Sequence, residues 1–236
     1  MQVELLNYTP NPDLTVAMAA RQCYSPESSI DIVKDIINSD QSKFIKKLFE
    51  MGHMSPFEHV SFTFGIDGIS RACSHQLVRH RIASYSQKSQ RYVSEGMFDY
   101  SIPPKVKKTA EADKCFQEAM AKCQEAYDKL VEYGVPKEDA RYVLPNACST
   151  SIVVTMNARS LFNFFAHRCC TRAQWEIREM ATLMLQEVIK VAPDIFGNAG
   201  ANCTMLGYCP EGKMSCGRFV TLDQYKNNLK DNLKED

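Results

Sequence analysis

Residues 60–70 constrain the fold of this chain more than any other stretch. Val60, Phe62, Phe64 and Ile66 alternate with Ser61, Thr63, Gly65 and Asp67. A strand with one buried face satisfies that period of two, and a helix does not. Ser70 then stands where an N-cap belongs, so a helix is expected through Cys73, Gln76, Leu77 and Val78. Gln76 and Arg79, three apart, share a face of it. Its end releases the segment Arg79-His80-Arg81-Ile82-Ala83-Ser84-Tyr85-Ser86-Gln87-Lys88-Ser89-Gln90-Arg91-Tyr92. This segment is expected to begin at the helix end and continue as a loop, a position suited to binding on a rigid support.

Fourteen positions there hold four strong cations, two glutamines, three serines and a histidine, with Ile82 and Ala83 the only aliphatic side chains. An ordinary solvated basic loop would carry acids among its cations. Guanidinium forks fit phosphate and imide oxygens, and hydroxyls and amides complete such a cradle, so the segment reads as an anion-binding element.

The formal net charge is zero, which argues against non-specific nucleic-acid binding by phosphate neutralisation but leaves room for local anion pockets. No apolar run approaches the ~20 residues that cross a bilayer, and Met1-Gln2-Val3-Glu4 opens no export signal, so a cytoplasmic protein without a membrane partner is expected. The ten cysteines are then expected to stay reduced, with roles in packing, metal binding or reactivity. Neither a phosphate-binding loop of the nucleoside triphosphatase type nor a GxGxxG fingerprint occurs. A dinucleotide would have to be held by arginines and helix ends.

Other segments read as scaffold. A first strand is expected over 3–8, and Pro12 opens a helix with Val16, Ala19 and Ala20 on its apolar side. Phe44, Ile45, Leu48 and Phe49 share one face of a helix over 41–51, whose exit past Gly52 delivers His53 and Ser55. Residues 104–132 read as one long amphipathic helix, closed by Gly134, with Phe116, Met120, Ala126, Tyr127, Leu130 and Val131 inward. A short helix from Pro136 carries Arg141 and stops before Pro145. The β-branched residues of 150–156 imply a buried strand. Asn157 caps a helix on which Arg159, Asn163 and His167 recur every four residues while Leu161, Phe162 and Phe165 face elsewhere. Thr171 and Gln174 have capping-box spacing for a last long helix through Met180, Met184, Val188 and Ile189 to Pro193. Residues 197–218 read as loop-rich, and the charged end after Lys226 is expected to fray.

Arg79-His80-Arg81, seven residues, then Ser89 with Gln90-Arg91-Tyr92 resembles the signature of the flavin-dependent thymidylate synthases. Gly52-His53-Met54-Ser55-Pro56-Phe57-Glu58-His59 before it, and Asn157-Ala158-Arg159-Ser160-Leu161 and Ala173-Gln174-Trp175-Glu176-Ile177 after it, resemble the same family in the same order. The likeness covers most of residues 1–195. It implies one α+β domain with a mainly antiparallel sheet flanked by helices: residues 1–196 as the synthase domain, and 197–236 as a Cys/Gly-rich appendage and charged tail of that domain. It also implies a homotetramer with active sites between subunits.

The implied reaction is reductive methylation of dUMP to dTMP, with methylenetetrahydrofolate as carbon donor, FAD reduced by NADPH as hydride donor, and no enzyme nucleophile. By resemblance dUMP is bound by Gln76, Arg79, Gln87, Lys88, Ser89, Gln90, Arg91, Arg141 and Arg168, with Arg168 also favouring ionisation at pyrimidine N3. FAD is bound by Ser55, Arg79, His80, Arg81, Gln87, Asn157, Ala158, Arg159 and Asn163, and His53 lies at a position tied to folate and flavin access. Gln87 stands where some relatives carry Glu, so no carboxylate role carries over there.

Two contrasting readings follow from the same residues. Ser89 is a poor nucleophile without an adjacent base, and His80 is nine positions away. A thiol-dependent pyrimidine methyltransferase would need a thiolate beside a cation, for which Cys169 and Cys170 after Arg168 are the available pair. A non-catalytic, metal-stabilised nucleotide-binding protein would use Cys169, Cys170, Cys203, Cys209 and Cys216 as zinc ligands, although no CxxC knuckle is present.

Overall fold

The computed structural model describes residues 1–92 and 97–232. Four strands, β1 (Gln2–Tyr8), β2 (Ser61–Ser70), β3 (Ser84–Gln87) and β4 (Ser149–Asn157), form one sheet in the order β1-β2-β4-β3. The Thr9 amide donates to the Ser61 carbonyl at 3.0 Å, while Gly68 lies against Met1, so β1 and β2 run antiparallel. Arg71 N–H to Cys148 O at 3.0 Å and Ala158 N–H to Val60 O at 2.9 Å give β2 and β4 the same relation. Helices α1 (Pro12–Gln22), α2 (Ser29–Ile36) and α3 (Ser42–Glu50) precede β2, and α4 (Arg71–Leu77) separates β2 from β3. Helices α5 (Pro104–Lys107), α6 (Ala110–Glu132) and α7 (Lys137–Ala140) lie between β3 and β4. Helices α8 (Ala158–Arg168), α9 (Trp175–Val191), α10 (Pro193–Phe196), α11 (Asn202–Leu206) and α12 (Leu222–Asn232) follow β4. The α+β class with an antiparallel sheet flanked by helices is therefore as expected. No helix among the described residues is long and apolar enough to cross a membrane.

Contact density groups the chain into two units: Met1–Val3, Gly65–Arg81 and Tyr85–Val154 form the first, and Glu4–Phe64, Ile82–Ser84 and Thr155–Asp236 the second. The first buries Ile66, Ile69, Leu77, Ile152 and Val154, with a satellite cluster of Phe98, Met120 and Cys148. The second is built on aromatics. Phe196 packs on Phe62, Phe162 and Phe165 with ring centroids 5.2, 5.1 and 6.1 Å away, distances at which edge-to-face and offset contacts are favourable.

In β2 the alternation holds from Phe62 to Ile66 and then shifts: Ile66 and Ile69, three apart, are both buried. Gly68 sits at φ 72° between them, a left-handed conformation glycine adopts without strain, and it resets the phase of the strand. The Ser70 hydroxyl accepts the Cys73 N–H at 3.0 Å, so α4 starts where the cap placed it. Gly134, at φ 79°, closes α6 as expected, with Val135 N–H returning to Leu130 O at 3.0 Å.

Several expectations are corrected. The cationic segment is not loop throughout, because Ser84–Gln87 forms edge strand β3. Residues 104–132 are two helices: Thr109 is extended at φ −120°, and the acidic first turn of α6, Glu111 and Asp113, suits a fresh N-terminus after the lysines of α5. Strand β4 is buried on one face only, with Val153 at 40% exposure. Gln174, not Thr171, caps α9, its side-chain oxygen accepting from Glu176 N–H and Ile177 N–H at 3.0 and 3.1 Å. Helix α2 occupies a stretch where no element was foreseen, and the Ser28 hydroxyl caps it through Asp31 N–H. Residues up to Asn232 are helical where fraying was expected from Lys226 onward; 233–236 lie outside the described residues.

Candidate functional site

In the first unit the C-terminal end of α4 turns sharply. Arg79 N–H reaches Gln76 O and His80 N–H reaches Leu77 O, at 3.4 and 3.1 Å. Tyr85 on β3 holds this turn, its hydroxyl lying 2.8 Å from His80 O and 3.0 Å from Leu77 O. Burial pushes the Tyr85 phenol up to about 12, so it stays a donor at any working pH. Arg79 and Arg81 are exposed on the turn, and neither has a side-chain ion pair or hydrogen bond among the described residues. Two fixed charges on a clamped backbone, unmatched among the described residues, are suited to anionic oxygens.

Gln76 lies on α4, and among the described residues its side-chain amide makes only a long contact to Ala72 O, at 3.4 Å. Gln87 is tied down by its amide: Nε2 donates to Ser74 Oγ at 2.9 Å and Thr150 Oγ1 at 3.3 Å. Ser74 in turn donates to Arg71 O at 2.9 Å. Lys88 extends the sheet pairing through its N–H to Ser151 O at 2.9 Å. Ser89 Oγ accepts the Arg91 N–H at 3.2 Å, shaping the turn that presents Arg91. Gln90 is buried, its amide 3.5 Å from Cys148 Sγ.

Arg91 and Arg141 are brought together by a residue that sequence reasoning missed. The Glu138 carboxylate accepts from Arg91 Nε and Nη2 at 3.0 and 2.7 Å, and the Glu138 backbone carbonyl accepts from Arg141 Nε at 3.0 Å. Hydrogen bonds to the Glu138 carboxylate hold the Arg91 guanidinium above its usual range. Glu138, Ser74, Thr150 and Tyr85 carried no sequence signal for this role beyond being polar residues on short elements.

The second unit holds the remaining candidates. His53 follows Gly52, which sits at φ 71°, and its ring stands edge-on to Tyr24 at 6.4 Å. Ser55 opens a 3-10 turn over Ser55–His59. Asn157 is a helix cap, its side-chain oxygen accepting Ser160 N–H at 2.8 Å. The Ala158 N–H is taken up by Val60 O, and the residue is fully buried. Arg159 and Asn163 are exposed on one face of α8. Arg159 pairs with the Glu58 carboxylate, while Asn163 lends its backbone carbonyl to His167 Nδ1 at 2.7 Å. Arg168 ends α8, half-buried. Burial pushes the thiol of Cys169 beside it up to about 12, so that cysteine is no thiolate nucleophile at neutral pH. Among the described residues no group of three His, Cys, Asp or Glu side chains is placed to hold a metal ion.

The arrangement in each unit presents arginines, amides and hydroxyls rather than a nucleophile paired with a base. Such a surface is suited to anionic, hydrogen-bonding ligands.

Comparison with known proteins agrees with that chemistry. The family described as Thymidylate synthase complementing protein matches residues 4–194. A protein of Clostridium tetani named flavin-dependent thymidylate synthase is 53% identical over 238 residues, covering 94% of this chain and 95% of its own length. One of the same name from Geobacter sulfurreducens is 53% identical over 221 residues, 92% of this chain and 94% of its own. Another from Pyrococcus furiosus is 44% identical, covering 89% of this chain and 90% of its own.

Proposed function

The chain belongs to the thymidylate synthase complementing protein family, and from that membership we propose that it is a flavin-dependent thymidylate synthase that converts dUMP to dTMP. The observation that carries the reading is the pair Arg79 and Arg81, exposed on a clamped turn and without partners among the described residues.

Bound FAD, once reduced by NADPH, supplies the hydride that turns the methylene carbon of methylenetetrahydrofolate into the C5 methyl group. The residues of this chain bind and orient. Arg79, His80, Arg81, Arg159 and Asn163 suit the phosphates and polar edges of FAD, with Ser55, Gln87, Asn157 and Ala158 alongside them; Asn157 already caps α8 and the Ala158 N–H is taken by Val60 O, so the role left to Ala158 is placement of the chain. The dUMP phosphate is a dianion, and Arg91 and Arg141, both tied to Glu138, are cations pre-set for it, with Gln76, Gln87, Lys88, Ser89 and Gln90 supplying donors and acceptors. Arg168 acts on the pyrimidine, where a permanent cation favours the N3 anion and activates C5 toward the electrophilic carbon. His53 is assigned to folate and flavin access.

The family match over 4–194 supports reading residues 1–196 as the synthase portion and 197–236 as an appendage to it. The assembly proposed with this reading is a homotetramer with active sites between subunits, as the family likeness implies. Free thiols at all ten cysteines suit a cytoplasmic protein.

A visible absorption spectrum of the purified protein, followed by NADPH oxidation with and without dUMP, tests the function. A flavin spectrum with dUMP-dependent oxidation is expected; colourless protein that takes up no added FAD overturns the reading.

A further inference from the structure

Half of the chain's ten cysteines line one cavity of the second unit: Cys169, Cys170, Cys203, Cys209 and Cys216. They come from three separate segments, the exit of α8, the first turns of α11, and the loop before α12. An ion pair between Arg172 and Glu211 at 3.1 Å and the Cys209 N–H on Val220 O at 2.7 Å hold these segments together. None of this is used by the proposed synthase reaction.

The five thiols are not equivalent. Cys209 is buried at 6% exposure, Cys169, Cys170 and Cys203 are half-buried, and Cys216 is exposed at the rim. Hydrogen bonds from the Thr171 hydroxyl and the Arg218 backbone N–H hold the Cys216 thiol below the usual range, so a larger share of it is thiolate at neutral pH. Burial has the opposite effect on Cys169. A structural zinc would need four ligand atoms about 2.0–2.3 Å from one point, and no three donors among the described residues are so placed. A disulfide needs only two sulfurs to meet. Gly217 at φ 80° directly follows Cys216 and sets the turn that leaves this cysteine at the rim.

We propose that this cavity is a thiol–disulfide exchange site whose substrate is a low-molecular-weight disulfide and whose attacking group is Cys216. The Cys216 thiolate attacks one sulfur of the small disulfide, forming a mixed disulfide and expelling the other half as a thiolate that takes up a proton. A second cavity cysteine then loses its proton and attacks Cys216 Sγ, closing an intramolecular disulfide and releasing the second small thiol. Two protein thiols are oxidised and one small disulfide is reduced to two thiols.

The test uses the full chain, reduced and desalted, and reads no turnover, so it stands apart from the synthase reading. Iodoacetamide at neutral pH is expected to label Cys216 about tenfold faster than Cys23 and Cys115, which are exposed but without such hydrogen bonds among the described residues. Glutathione disulfide is expected to give first an adduct at Cys216, then loss of two hydrogens by intact mass, with peptide mapping joining Cys216 to Cys170, Cys203 or Cys209. Cys216→Ser should abolish both products while circular dichroism is unchanged. Equal labelling of the three exposed cysteines, loss of two hydrogens that survives in Cys216→Ser, or one bound zinc per chain that shields the cavity cysteines from alkylation would each overturn the proposal.

Discussion

The Tyr85 hydroxyl donates to the backbone carbonyl of His80 at 2.8 Å, tying β3 to the turn that displays Arg79 and Arg81. The same hydroxyl lies 3.0 Å from Leu77 O, so one proton serves two carbonyls at the end of α4. Carbonyls at and just beyond a helix end lack helical partners, and here the Tyr85 side chain supplies a donor to Leu77 O at the end of α4 and to His80 O in the turn after it.

Tyr85→Phe keeps the ring and removes the clamp. Loss of the hydrogen bond at a half-buried site is expected to cost about 1–2 kcal/mol of stability. FAD affinity should fall about tenfold, equivalent to ~1.4 kcal/mol, because the arginines lose their fixed backbone. Flavin titration followed by absorbance checks this; unchanged FAD affinity in a variant with lowered melting temperature would make Tyr85 purely structural.

Gln87→Glu tests the donor logic at β3. The Ser74 hydroxyl already gives its only proton to Arg71 O, so it can accept from the Gln87 amide but cannot also donate to a carboxylate. Glutamate there would set lone pairs against lone pairs, and a loss of roughly 1–3 kcal/mol is expected. Thermal unfolding would show a melting temperature ~2–8 °C lower, whereas an unchanged value would show that Ser74 rotates without cost.

Replacing Arg79 or Arg81 by Ala should separate binding from folding. Neither guanidinium has a partner among the described residues, so melting temperature should change little. Flavin content of the purified protein should drop by tenfold or more, on the order of the ~1.5–3 kcal/mol of a hydrogen bond to a charged group. Fully loaded variants would remove both residues from the flavin site.

Asp13 makes stability depend on pH. Burial, and then the nearby Asp194 carboxylate, raise it from 3.8 to about 6, and its Oδ1 is buried without a hydrogen-bond partner among the described residues. The folded chain therefore holds the Asp13 proton more tightly than the unfolded chain does. The resulting stabilisation is present below about pH 4 and is lost as pH rises towards 6. Asp13→Asn should raise the melting temperature at pH 7.5 by ~2 °C, roughly 1 kcal/mol after solvent screening at this partly exposed site. No gain is expected at pH 4, and melting curves at the two pH values decide it.

The chain itself determined whatever rests on neighbours within a few positions. Ser70 and Asn157 cap helices because their side chains reach N–H groups three residues on, and Phe62, Phe64 and Ile66 mark β2 because burial alternates with the pleat. The cations, amides and hydroxyls on which the proposed anion site of residues 79–92 rests were likewise written in residue type. Other features were decided only by tertiary structure. Ser-Tyr-Ser-Gln shows no hydrophobic period, and it becomes β3 because its partners are in β4, Gln87 meeting Thr150 across 63 positions. Glu138 joins Arg91 across 47 positions, and five cysteines between 169 and 216 meet in one cavity. Such pairings follow from where the sheet and helices bring distant segments, and no local propensity encodes that distance.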